Sequence, residues 1–284
     1  MVDAATSTSH ARLDRFRDLV HEVSGIRLRE SKNVMIESRL RKRMVALGLP
    51  TLDAYLGHLF DDGAMREELP QIIDLITTNK TDFFREPAHY RFLEERIIPE
   101  CLAPAPAGRT VRFRLWSAAA STGAEAWSAA MLLARAAQAD RRLDWAILGT
   151  DISHRVLQIA RNAVFPLSDL EPVPPALRDA YLMQGRKGPV RQARIVPELR
   201  ARVRFAPMNL MEIPYPIETG LDVVMLRNVL IYFDPPTQHR VLAALARHLR
   251  RGGYLIVGHS ESMIVQVPSL VQMAPGVFRN EGAT

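Results

Sequence analysis

VRFRLWSAAASTGAEAWSAA, residues 111–130, carries two periodicities in one stretch. VRFRLWS reads as a strand, with apolar residues at alternate positions. A run of small residues follows (Ala118, Ala119, Ala120, Ser121, Gly123), then a helix predicted from Ser121 to about Ala139. Small residues at a strand–helix turn let backbone approach a ligand closely, and Ser121 is a candidate helix cap. Strand, tight turn and helix form the opening unit of an α/β sheet. Ligands of such sheets bind outside the carboxyl ends of the strands, near the switch point.

The same alternation continues downstream. WAILGTD, VRFAPMN, LDVVMLRNV and YLIVGHS read as strands; helices are predicted from Ser153 and over TQHRVLAALARHLR. This implies a doubly wound, Rossmann-like, mostly parallel sheet, with LVQMAPGVFRN as an antiparallel hairpin at its end. The proline-rich, basic stretch at about 164–204 breaks the alternation and reads as a small inserted β-subdomain. Upstream, residues 1–100 show helical periodicity and no strand signal. Leu13, Phe16, Leu19, Val20 and Val23 recur at threes and fours, Thr51 is placed to cap a later helix, and Pro87 to open the last. CLAPAPAGRT, 101–110, reads as a linker to a domain over 111–284.

The chain has 284 residues, 48% hydrophobic and 24% charged, values of an ordinary globular protein. A single cysteine, Cys101, excludes an internal disulfide and a cysteine-based zinc site. The histidines show no metal spacing, so no metal is expected. MVDAATSTSHARLDRF has no apolar h-region, and the longest apolar run is interrupted by Arg135, so a cytoplasmic protein without membrane insertion is expected. The net charge of +6 points to an acidic partner. The basic residues concentrate in 27–43, including Arg39, Arg41, Lys42 and Arg43, and in 186–204, including Arg186 and Lys187. Neither stretch interleaves aromatics for base stacking, so nucleic acid is not expected.

Several side chains fall at predicted strand ends. Glu125 sits in the first turn after the small loop, where it either holds a ligand ammonium group or favours the helix dipole. Asp151 ends the second strand, where an acid accepts from both ribose hydroxyls of a nucleoside or caps the next helix. Arg227 and Asn228 end the fourth strand, where they either meet a ligand or satisfy the loop's own backbone. A G-x-G-x-x-G motif is lacking, which argues against a dinucleotide. Gly258-His259-Ser260-Glu261-Ser262 imitates a nucleophile elbow, but no His or Asp follows it, which excludes that hydrolase class.

TTNKTDFFRE (77–86), WSAAASTGAEAWS, GTDIS, MNL, LRNVLIYFD and GGYLIVGHSES together resemble the signature segments of the chemotaxis receptor glutamate methyltransferases, the CheR family. The resemblance runs in order from about residue 13 to 279. It implies an N-terminal helical domain that recognises substrate and completes the cofactor pocket, and an S-adenosylmethionine-dependent methyltransferase domain with the inserted β-subdomain. It places Asn79, Thr81, Arg85, Glu125, Asp151, Asn209, Leu210, Arg227 and Asn228 at the cofactor, and Arg85 and Tyr232 near the transferred methyl. Many relatives carry two acids where this chain has Ala124-Glu125.

The implied reaction methylates glutamates of chemotaxis receptors (methyl-accepting chemotaxis proteins) for sensory adaptation, leaving S-adenosylhomocysteine. The implied partner is the receptors' cytoplasmic domain, met by Arg39, Arg41, Lys42 and Arg43, with a receptor C-terminal peptide on the β-subdomain in some relatives. A monomer is expected. The rival readings are an RNA methyltransferase with the same cofactor half and a non-catalytic adaptor that keeps the fold.

Overall fold

The computed structural model describes residues 2–106, 108–185 and 191–282. Arg186 and Lys187 of the second basic stretch lie outside the described residues. The chain opens with four helices, α1 (Val2–Ser24), α2 (Asn33–Ala46), α3 (Leu52–Phe60) and α4 (Met65–Ile76). Their apolar stripes meet in a core that includes Phe16, Val20, Ile36, Leu40, Tyr55, Leu59 and Ile72. Thr51 caps α3 by accepting from the Ala54 N–H at 3.1 Å, as its position predicts. Glu68 is buried in this bundle, where it accepts from the Arg43 guanidinium and from the Tyr55 hydroxyl at 3.0 Å.

A second helical stretch runs as α5 (Pro87–Phe92), a π-helical turn (Leu93–Ile97) and α6 (Ile98–Leu102). Its apolar face (Tyr90, Leu93, Ile97, Ile98) joins the core under the sheet rather than the four-helix core. Cys101, half-buried, lies 3.1 Å from Arg250 and 3.7 Å from Asp222; burial pushes its thiol up to about 11.

The remaining elements follow in order: β1 (Val111–Ala118), α7 (Ala124–Ala139), β2 (Leu143–Asp151), α8 (His154–Asn162), β3 (Val164–Pro166), α9 (Pro175–Tyr181), β4 (Leu182–Gln184), β5 (Gln192–Ile195), α10 (Pro197–Arg200), β6 (Val203–Pro207), β7 (Leu221–Leu226), α11 (Pro235–Ala246), β8 (Leu249–Val257), β9 (Leu270–Ala274) and β10 (Val277–Asn280). Seven strands form one sheet, in the order β6-β2-β1-β7-β8-β10-β9. The pairings among β6, β2, β1, β7 and β8 are all parallel, while β10 is antiparallel to both its neighbours. The C-terminal hairpin is therefore present, with β10 inserted beside β8 and β9 as the edge. The strand order reverses between β1 and β7, which makes their carboxyl ends the switch point.

Both faces of the sheet are covered, which is why β7 is apolar throughout from Val223 to Leu226. Val223 and Met225 face a core shared with α7, while Val224 and Leu226 face Val241, Leu242 and Leu245 of α11. The stretch between α8 and α10 forms a three-stranded antiparallel sheet, β3-β5-β4, joined to the main core through Phe165 and Ile195.

Candidate active site

The loops after β1, β2, β6 and β7 open onto one cleft, closed on its far side by chain from the helical part of the protein. Every residue that the sequence places at the cofactor lines it: Asn79, Thr81, Arg85, Glu125, Asp151, Asn209, Leu210, Arg227 and Asn228, together with Tyr232.

The loop after β1 forms the floor. Ala119 (φ 56) and Ser121 (φ 52) are left-handed without being glycine, a conformation that costs about 1–2 kcal/mol per residue and needs support. The support is visible: the Ser121 N–H donates to Asp151 Oδ2 at 2.8 Å and the Ala120 N–H to the Thr150 carbonyl at 2.8 Å. Ser121 does not cap α7 as expected. Gly123 (φ 87) holds that position, and the Ser121 hydroxyl donates across the cleft to the Asn79 carbonyl at 2.7 Å. Gly149 is required as well, because a Cβ there meets the Phe205 ring at 2.5 Å.

Asp151 is buried and accepts from the backbone N–H groups of Ser121 at 2.8 Å and Ser153 at 2.9 Å, with the Ile152 amide also directed at it. A carboxylate has about four acceptor sites, so acceptor capacity remains for a ligand. Burial pushes its pKa up, against the amides of Ser153, Ser121 and Ile152 that pull it down. The cap of α8 is Ser153, which accepts from the Val156 N–H at 3.3 Å, so the structure does not need Asp151 as a cap.

Arg227 is the electrostatic centre of the cleft wall. Its side chain is 2% exposed and donates to Glu125 Oε2 at 3.0 Å, Glu86 Oε2 at 3.1 Å and the Tyr90 hydroxyl at 3.2 Å, and to the Arg85 carbonyl. Burial disfavours its charge, but Tyr90, Glu125 and Glu86 outweigh that and raise its pKa. Glu125 also accepts from the Ser117 hydroxyl at 2.8 Å, so both its oxygens have internal partners. Asn228 (φ 59) is held by Glu261, which accepts from the Asn228 N–H at 2.7 Å and the Gly258 N–H at 2.8 Å. The imitation elbow thus has a structural job.

Two segments of the helical part close the cleft. Residues 77–86 cross it, tied down by Ser121 and by the Phe84 N–H, which donates to Ser128 Oγ at 3.0 Å. Phe83 is buried edge-on against Phe165. The turn after α1 contributes Ser24 and Ile26 to the lining. It is joined by Asn209, whose amide donates to the Val23 carbonyl at 2.7 Å, and by the Arg27 N–H, which donates to the Tyr232 carbonyl at 3.1 Å. The side-chain amide of Asn209 is therefore engaged between domains.

None of the four basic-helix residues lines this cleft, and they divide into two kinds. Arg43 is bound to buried Glu68, and Arg39 donates to the Ile76 carbonyl and to Thr78 Oγ1 at 2.9 Å. Arg41 and Lys42 are exposed. Sequence reasoning missed Ser24, Ile26, Glu86, Tyr90 and Ser128. Only Glu261 left a signal, a G-x-x-E capping pattern.

Arg85 has no carboxylate partner among the described residues; its guanidinium makes one long contact, to the Lys80 carbonyl at 3.4 Å. The Tyr232 hydroxyl has no hydrogen-bond partner among the described residues. Two polar heads thus face the cleft beside the ion-paired Arg227 and Glu125.

Comparison with known proteins finds two family segments that meet at about residue 78. Residues 79–277 match "CheR methyltransferase, SAM binding domain" and residues 11–77 match "CheR methyltransferase, all-alpha domain". The chain belongs to the CheR methyltransferase family. It is 38% identical to Chemotaxis protein methyltransferase 2 of Pseudomonas aeruginosa, over 87% of this chain and 85% of that one. It is 36% identical to Chemotaxis protein methyltransferase of Salmonella typhimurium, over 91% and 85%, and 35% identical to that of Escherichia coli, over 91% and 86%. Membership makes the protein an S-adenosylmethionine-dependent methyltransferase. The cleft fits that cofactor: a buried carboxylate with spare acceptor sites lies at its floor, and small residues line the loop beside it.

No helix among the described residues is long and apolar enough to cross a membrane.

Proposed function

We propose that the protein methylates specific glutamate side chains of chemotaxis receptors, giving glutamate methyl esters and S-adenosylhomocysteine. The observation that carries the site assignment is that the Arg85 guanidinium, without a carboxylate partner among the described residues, and Tyr232 line the same cofactor cleft. Bound S-adenosylmethionine supplies an electrophilic methyl on a sulfonium. Asp151 accepts from the ribose hydroxyls, and Asn79, Thr81, Asn209, Leu210 and Asn228 frame the rest of the cofactor. Glu125 and Arg227 act as a neutralised pair that shapes the wall; their charges are already answered by each other and by Glu86.

A glutamate side chain has a pKa near ~4.3, so at neutral pH the substrate arrives as a carboxylate and needs no general base. The protein's work is alignment and exclusion of water. Arg85 orients the incoming carboxylate through charge-assisted hydrogen bonds. Tyr232 offers its ring face to positive charge or its hydroxyl to the carboxylate.

The receptor's cytoplasmic domain meets the exposed residues Arg41 and Lys42 of α2, while Arg39 and Arg43 hold that helix in place. The three-stranded subdomain offers free strand edges at β3 and β4 for addition of a receptor C-terminal peptide. The enzyme works as a cytoplasmic monomer. The test is transfer of labelled methyl from S-adenosylmethionine to receptor-bearing membranes, with RNA as the competing acceptor. Base-labile label on receptor is expected; label on RNA alone, or none with cofactor bound, overturns this function.

A further inference from the structure

Glu86, His89 and His259 bring three ligand-type atoms within 4.8 Å of one another, behind the cleft wall rather than in its lining. His89 is fixed. It is 1% exposed, and its Nε2 lies 3.1 Å from the Pro275 carbonyl oxygen. A carbonyl only accepts, so Nε2 carries the proton and Nδ1 presents a lone pair. That Nδ1 is buried without a hydrogen-bond partner. It faces Glu86 Oε2 at 3.4 Å. Two acceptors turned toward each other repel, and buried polar atoms are rarely left so.

An ion between them resolves the arrangement. Two ligands of a tetrahedral ion, each at about 2.0–2.1 Å, stand roughly 3.4 Å apart. His259 supplies the third position: it is exposed, and its ring stands edge-on to His89 with centroids 4.6 Å apart. The His89 Nε2–H to backbone carbonyl contact is the outer support that metal-bound histidines usually have. Gly276 leaves the room for it, since a Cβ there sits 2.7 Å from His89 Nε2. Arg227, 3.1 Å from Glu86, does not make the site electropositive, because it also pairs with Glu125 at 3.0 Å; two carboxylates and one guanidinium leave a net negative charge.

The geometry points to a three-ligand site for a divalent transition metal of the zinc class, formed by Glu86, His89 and His259 with its fourth position open to water. The spacing of histidines along the chain does not show it, because His259 follows β8, far along the chain from His89.

The test uses untagged full-length protein titrated with Zn²⁺ by calorimetry and with Co²⁺ by absorption spectroscopy. Expected are one site per chain and a tetrahedral Co²⁺ spectrum that Zn²⁺ displaces. His259→Ala should lose more affinity than the roughly 10–100-fold that loss of an outer partner costs, with the metal-free melting temperature unchanged. His259→Cys should restore binding and add a thiolate-to-cobalt band. No stoichiometric site in the wild type, or the same Co²⁺ spectrum and affinity in His259→Ala, overturns the proposal.

Discussion

Arg85 and Arg227 line the same cleft, and their surroundings give them opposite jobs. Arg227 is enclosed by two glutamates and a tyrosine, so truncation leaves buried Glu125 and half-buried Glu86 without their cation. Removing one partner of a buried ion pair costs about 3–5 kcal/mol. Arg227→Ala is expected to lose stability of that order in denaturant unfolding. Arg85 has no such partner among the described residues, so Arg85→Ala should unfold at nearly the wild-type midpoint. Its loss appears instead in methyl transfer. Hydrogen bonds to a charged group are worth about 1.5–3 kcal/mol, so kcat/KM should fall about 10–150-fold. Tyr232→Phe should also lower it. Near-normal turnover in both variants removes Arg85 and Tyr232 from the reacting centre. A single sequence identifies these residues through their motifs, but it does not say which arginine is free. That depends on Glu86 and Tyr90, which meet Arg227 only after folding.

At the scale of elements, the strands and helices were legible because each carries its own period. The α7 boundary was not. Ser121 has the chemistry of a cap, but its left-handed φ and its bond to Asn79 belong to the cleft, and Gly123 takes the cap position. TTNKTDFFRE likewise gives no local sign of crossing the cleft; its tethers are Ser121 and Ser128, each more than 40 residues further along the chain. Ser121→Ala removes one tether, worth about 1 kcal/mol. The expected outcome is roughly fivefold weaker S-adenosylhomocysteine binding by calorimetry, with little change in melting temperature.

Glu68 makes a test of another kind. Arg43, acting against burial and helped by Tyr55, holds its pKa below the ordinary glutamate value. A depressed carboxylate pKa gives stability that is present above the unfolded-state value, about 4.3, and is lost as pH falls through the folded-state value. Glu68→Gln should therefore melt well below wild type at pH 7, and the gap should close below about pH 4. A constant gap means that the ionised pair contributes nothing.

The whole molecule has three cores, and the cleft lies where they meet. Sequence patterning shows how many units there are, but not that α5 and α6 bury their apolar face under the sheet, since a stripe does not name its partner. Nor does it show why Gly25 must be glycine: φ is 73, and a Cβ there meets Met211 Sδ at 2.6 Å and the Phe233 ring at 3.1 Å. With the helical part so closely seated, the outward face of α2 becomes a fixed surface beside the cleft. Val34 and Val45 on it are 82% and 74% exposed, with Arg41 and Lys42 between them. Glu37 reaches Arg41 only at 3.8 Å across solvent, a pair of little worth. This face should attract an acidic helical substrate and be screened by salt over about 8 Å at physiological ionic strength. Arg41→Glu with Lys42→Glu is expected to raise KM for receptor about tenfold or more at low salt. It should flatten the salt dependence of the rate while S-adenosylhomocysteine affinity stays at wild type. Unchanged KM and an unchanged salt slope reduce α2 to a solvated face and move receptor recognition elsewhere on the molecule.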